Sequence, residues 1–186
     1  MYMDNKTIAQ VITNSPKIQE ITYDFQSYQR KHHTYFKNKD EELKIRYENL
    51  QDIIGVLNTE NILYWLQGKT MLGIFKNGAL LENDSDEDIG VDVSSLYDVC
   101  MKVVPKLQTM GFTVIRATRN NSMISFMRNN RYLDICVFRR NGDHYFYEQK
   151  NFPVEYYKEI SQIKVKDFVY RIPKLSKEIC YYSYKL

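Results

Sequence analysis

Apolar positions recur along the chain at two different periods, and the change between them divides it. From Lys17 to about Arg30, Ile18, Ile21, Phe25 and Tyr28 recur at helical spacing, which predicts an amphipathic helix. A stronger stripe of Leu43, Tyr47, Leu50, Ile53, Ile54 and Leu57 predicts a helix over Asp40 to Asn58. Asp40-Glu41-Glu42 load the positive end of its dipole. Leu63-Tyr64-Trp65-Leu66 has no polar interruption and reads as a buried strand. Gly68-Lys69-Thr70 then turns the chain, and Thr70 to Lys76 forms a brief helix ending at Asn77-Gly78. Further on, Ser94 or Ser95 can cap a helix that buries Leu96, Val99, Cys100, Val103, Val104, Leu107 and Met110, with Gly111 as its stop. Pro105 falls inside it and is expected to kink or split it.

After Gly111 the period becomes two. Phe112–Arg116, Met123–Met127, Tyr132–Phe138 and His144–Tyr147 read as short strands, punctuated by Asn120-Asn121, Asn129-Asn130 and Asn141-Gly142. Ile163 to Pro173 reads as two short strands around Lys166-Asp167, followed by a terminal helix with Leu175, Ile179 and Tyr182. Helices followed by hairpins predict an α+β (α/β) fold, a mixed and mostly antiparallel sheet with helices packed on it. Residues 1–38 are expected to be a helical extension and residues 39–186 the main domain.

Composition narrows the class. A hydrophobic content of 44% and a charged content of 26% over 186 residues describe a globular protein with a real core. A net charge of +3 argues against a dedicated nucleic-acid binder, which concentrates more positive charge on one face. No apolar run approaches the roughly 18 residues that span a bilayer. The start, MYMDNKTIAQ, lacks the apolar core of a signal peptide. Cys100, Cys136 and Cys180 are widely spaced, so reduced thiols in a cytoplasmic protein are expected. His32-His33 point to different sides of a helix and are read as solvent-exposed, and no Cys/His set has zinc-ligand spacing.

The candidate chemistry lies between Gly68 and Asp88. A turn opening a helix aims free N–H groups and a positive dipole end outward, and an anion is its natural occupant. In Asp84-Ser85-Asp86-Glu87-Asp88, alternation on a strand places Asp86 and Asp88 on one face and Glu87 on the other. Two such carboxylates repel by roughly 4 kcal/mol at an effective dielectric of about 20. A proton or a divalent cation relieves this, and oxygen-only ligands select Mg²⁺ or Mn²⁺. A phosphate cradle beside a carboxylate-held metal points to phosphoryl transfer. Asp134 sits inside the apolar run Leu133 to Phe138, sharing a face with Cys136. It is either paired with an arginine such as Arg128 or Arg139, or bound to metal. Arg116, Arg119, Arg128, Arg131, Arg139 and Arg140 gather around the hairpins, either lining the mouth of the site or forming a solvated rim. The Gly68-Lys69-Thr70 turn is not a Walker A loop, because Leu63 stands where that loop needs glycine.

Gly68-Lys69-Thr70-Met71-Leu72-Gly73-Ile74-Phe75-Lys76, then Asn83-Asp84-Ser85-Asp86-Glu87-Asp88-Ile89-Gly90, resembles the LicD/fukutin family within the polymerase-beta-type nucleotidyltransferases. That family's pattern runs G-G-S/T-L-L-G-x-x-R, then W-D-x-D-x-D-I/L-G. Here Lys69 replaces the second glycine, Lys76 the arginine and Asn83 the tryptophan. Lysine keeps the charge at position 76 without arginine's bidentate fork.

The resemblance implies catalytic and metal-holding roles for Asp86, Asp88 and Asp134. It implies phosphate contacts from Gly68, Lys69, Thr70, Gly73 and Lys76, with Asp84 and Arg131 as accessories. It further implies transfer of an alcohol phosphate, such as phosphocholine or ribitol phosphate, from a CDP-linked donor to a glycan hydroxyl. NMP transfer from an NTP to a hydroxyl of a small molecule, protein or RNA is the same-fold alternative. A non-catalytic nucleotide- or nucleic-acid-binding protein of the same fold is the rival from another class.

Overall fold

The structure, a computed structural model, describes residues 38–117 and 122–186. The helix expected over Lys17–Arg30, the His32-His33 pair, Arg119 and the Asn120-Asn121 turn lie outside the described residues.

Helix α1 (Lys39–Thr59) starts where Asn38 accepts hydrogen bonds from the Asp40 and Glu41 N–H groups. Its apolar stripe buries Leu50, Ile53, Ile54 and Leu57 completely. Strand β1 (Tyr64–Gln67) begins one residue later than the apolar run does, and Leu63 is left 53% exposed. Helix α2 (Gly68–Asn77) ends on Gly78 at φ 61°, a left-handed cap that glycine adopts without steric cost. Strand β2 (Glu87–Asp92) follows the acidic loop.

The expected long helix after β2 is broken into α3 (Leu96–Asp98), a π-helical turn (Val99–Val103) and α4 (Val104–Thr109). Pro105 near the start of α4 cannot donate into the preceding turn, and the turn widens there. Neither Ser94 nor Ser95 caps the segment. Asp92 does, accepting from the Ser94 N–H and hydroxyl at 2.8 and 2.6 Å. Met110, expected in the stripe, is 38% exposed beyond the helix end.

Strands β3 (Thr113–Ala117), β4 (Met123–Arg128), β5 (Arg131–Asn141), β6 (His144–Tyr147) and β7 (Lys150–Pro153) complete the main sheet. Its central order is β1-β2-β5-β4-β3, with β6 and β7 continuing from the far end of β5. Among the described residues only β2 and β5 run parallel; the other pairs of this sheet are antiparallel. Asn129 and Asn130, both at positive φ, form the two-residue β4–β5 loop. The β5–β6 loop is Gly142-Asp143, one residue past the expected Asn141-Gly142, and β7 was not anticipated. Strands β8 (Ile160–Val165) and β9 (Phe168–Pro173) form a separate hairpin, and α5 (Ser176–Tyr184) closes the chain.

Helix α1 docks on one face of this sheet through charge as well as oil. Arg46, 1% exposed, holds Glu87 of β2 at 2.7 Å and donates to the Leu81 carbonyl at 2.9 Å. Glu42 holds Arg131 of β5 at 2.7 Å, and Asp52 with Asn49 holds Arg128 of β4. Burial pushes the Glu87 carboxyl up to about 7 against the pull of Arg46. Arg46→Met is expected to cost about 3–5 kcal/mol of stability because it strands a buried carboxylate. Arg46→Met with Glu87→Met should recover most of that loss, and urea unfolding of both variants checks it.

Candidate active site

The opposite face of the sheet carries the acids. The parallel register sets Asp88 of β2 directly beside Asp134 of β5. Asp86 lies just before β2, and ligand oxygens of Asp86, Asp88 and Asp134 fall within 4.8 Å of one another. Glu87 points to α1, as strand alternation predicts.

Asp88 is fixed from several sides. Its N–H donates to Thr70 Oγ1 at 2.9 Å, and its carboxylate accepts from the Cys136 thiol at 3.5 Å. Burial, then the charges of Asp86 and Asp134, push the Asp88 carboxyl well above its usual range. Asp134 is 2% exposed, and burial raises its carboxyl to about 6 although Arg116 pulls it down. Arg116 donates to Asp134 Oδ2 at 2.7 Å and to Ser125 Oγ at 2.8 Å. The arginine on Asp134 is therefore neither Arg128 nor Arg139. Asp134 Oδ1 is buried with no hydrogen-bond partner among the described residues. Converging, desolvated oxygens with one acceptor left unsatisfied fit a small hard cation.

Helix α2 begins against this cluster. Gly68 stands at φ 62°, and a β-carbon there would come within 2.5 Å of Asp88 Oδ2, so both conformation and space require glycine. Gln67, the residue before α2, makes no side-chain cap, which leaves the first N–H groups of the helix open. Lys69, half exposed, reaches Asp84 at 3.2 Å, and burial raises the Asp84 carboxyl.

The other residues expected at the site are packed around it or set away from it. Thr70 is 1% exposed and pins β2 to α2. A β-carbon on Gly73 would meet the Ala79 carbonyl at 2.6 Å, so that glycine serves close packing of the returning loop. Lys76 is exposed in the last turn of α2, away from its N-terminus. Arg131 faces α1 and is locked on Glu42, on the other side of the sheet from Asp134. That displacement follows from alternation, since positions 131 and 134 on one strand point opposite ways.

Several neighbours of the cluster were not anticipated. Tyr132 lies beside Asp86, and burial followed by that charge raises its phenol. Its place, one alternation before Asp134, was the available signal. Cys136, which shares a face with Asp134 as expected, also donates to Asp88. Gly90 faces Trp65 across β1, and a β-carbon would come within 2.2 Å of the indole Nε1. Trp65 in turn packs with Phe138 and Tyr157, whose hydroxyl donates to Gln67 at 3.2 Å.

The sheet, the glycine-opened helix and the acids define a protein of nucleotidyltransferase fold. A lincosamide antibiotic adenylyltransferase, LnuA, solved with lincomycin bound, superposes with a TM-score of 0.52 at 20% identity, over 75% of this chain and 87% of that one. The antibiotic-resistance protein ANT(2")-Ia, solved with adenylyl-2"-tobramycin, gives 0.52 at 12% identity, over 75% and 76%. Within that class, a sequence model of the LicD/FKTN/FKRP nucleotidyltransferase domain matches residues 61–175, and the chain belongs to this transferase family. An uncharacterized protein of Rickettsia prowazekii (strain Madrid E) is 25% identical over 122 residues, 60% of this chain and 46% of that protein. One from Rickettsia typhi (strain ATCC VR-144 / Wilmington) is 24% identical over 124 residues, 60% of this chain and 38% of that protein. The chain thus matches less than half the length of these curated relatives.

Thr70→Val should cost about 1–3 kcal/mol in urea unfolding by leaving the Asp88 N–H without an acceptor, whereas Thr70→Ser should retain most of the stability.

Proposed function

We propose that the protein is a metal-dependent phosphotransferase that moves an alcohol phosphate from a CDP-linked donor to a glycan hydroxyl. Phosphocholine and ribitol phosphate are the groups we put first. The observation that carries this reading is the convergence of Asp86, Asp88 and Asp134 within 4.8 Å in front of the open end of α2.

Asp86 and Asp88 would hold Mg²⁺ or Mn²⁺, with Asp134 as the third oxygen donor. The ion supplies positive charge against the donor's phosphates, where charge builds in the transition state. Backbone N–H groups at Gly68 and Lys69, with the Lys69 ammonium, bind phosphate oxygens and set the donor in line. Gly68 lets those oxygens approach because it carries no side chain toward Asp88. Asp134 accepts the proton of the attacking hydroxyl, as a carboxylate within hydrogen-bond reach can. The hydroxyl oxygen bonds to the phosphorus bearing the alcohol, the bridging P–O bond breaks, and CMP leaves with that oxygen.

Attack on the α-phosphorus of an NTP would use the same groups and release pyrophosphate. Incubating the protein and Mn²⁺ with CDP-choline or CDP-ribitol and a mixed glycan acceptor pool should release CMP. Pyrophosphate release from NTPs would replace this reading with nucleotidyl transfer, and no release from either donor class would leave it without support. Asp86→Asn, Asp88→Asn and Asp134→Asn should each lower turnover at least about a hundredfold while circular dichroism stays native.

A further inference from the structure

Arg116 does not point where strand periodicity would send it. Val114 pairs with Phe126 and Arg116 with Ser125, so Ile115 is an extra residue, a bulge in β3. In an unbroken strand Arg116 would share the face of Val114 and enter the core beside Phe126. The bulge instead turns it onto the face of Ser125 and Asp134. There its guanidinium, a quarter exposed, holds Asp134 Oδ2 and Ser125 Oγ. The other oxygen of the same carboxylate, Oδ1, is buried and unsatisfied among the described residues.

We propose that Arg116 is a resident counter-cation of the acidic centre. It occupies one oxygen of Asp134 in place of a second divalent ion, so the centre takes a single divalent cation. The inference rests on the metal-dependent reading above and fixes its stoichiometry. Asp86, Asp88 and Asp134 converge as three carboxylates, and the Arg116 guanidinium already takes one of their oxygens. The planar guanidinium donates to two acceptors at once, Asp134 Oδ2 and Ser125 Oγ. It is also tethered, so this part of the compensation stays when product and ion leave.

Mn²⁺ titration of the full chain, followed by the electron paramagnetic resonance of the free ion, reads stoichiometry without turnover. Wild type is expected to bind about one ion per chain, and Arg116→Lys likewise, because the compensating charge is kept. Arg116→Gln should bind about two, or one at least about tenfold more tightly, because the carboxylate oxygen is released. Two ions on the wild type would overturn the inference and leave the metal-dependent reading standing, whereas none would remove both. Equal stoichiometry and affinity in wild type and Arg116→Gln would also overturn it. Should circular dichroism show Arg116→Gln unfolded, Ser125→Ala, which removes the guanidinium's other anchor, is expected to tighten or add an ion, and no change there overturns the proposal.

Discussion

The parallel pairing of β2 with β5 is the constraint from which the rest follows. It is the single parallel ladder of the main sheet among the described residues, and it sets Asp88 level with Asp134. Two desolvated carboxylates side by side, with Asp86 beyond them, oppose folding unless their charge is compensated. The raised carboxyls of Asp88 and Asp134 record that opposition. Such a cluster persists because the sheet around it is held by many independent contacts, and the strain is concentrated where chemistry is proposed.

The two faces of the sheet treat charge differently. Toward α1 the buried Glu87 pairs with Arg46 and the buried Arg131 with Glu42, and the more exposed Arg128 pairs with Asp52. Those pairs fix how the helix sits on β2, β4 and β5, and Arg46 also grips the Leu81 carbonyl in the loop leading to Asp84 and Asp86. On the other face three carboxylates meet one arginine, which leaves a negative surplus. Near one another in sequence, Glu87 and Asp88 therefore have opposite duties, one anchoring the strand and the other projecting from it.

Small residues set how closely these parts approach. Gly68 lets α2 start against Asp88, Gly73 lets the loop after α2 return across it, and Gly90 makes room for the Trp65 indole. Trp65, Phe138, Tyr145 and Tyr157 form an aromatic floor next to the acids, joined to β2 through the Tyr145 hydroxyl on Asp92. The Tyr157 and Tyr145 hydroxyls of this floor donate to Gln67 and Asp92, which ties the aromatic packing to β1 and β2.

Local pattern alone determined much of this protein. The α1 stripe, the brief helix after Gly68, the hairpin strands and the split at Pro105 depend on short-range periodicity and backbone sterics, which a sequence carries directly. The shared face of Asp86 and Asp88 also follows from alternation, and the family resemblance supplied Asp134 as their partner. Only the tertiary structure decided which arginine meets Asp134, because a bulge at Ile115 re-aims Arg116 and an inserted residue leaves no mark in apolar spacing. It likewise sent Arg131 to Glu42, set Thr70 against the Asp88 N–H and laid the Ala79 carbonyl against Gly73, since partners distant in sequence choose among contacts that each residue could make. Periodicity tells a side chain which face to take; the register between strands and the helix laid across them decide what it meets there.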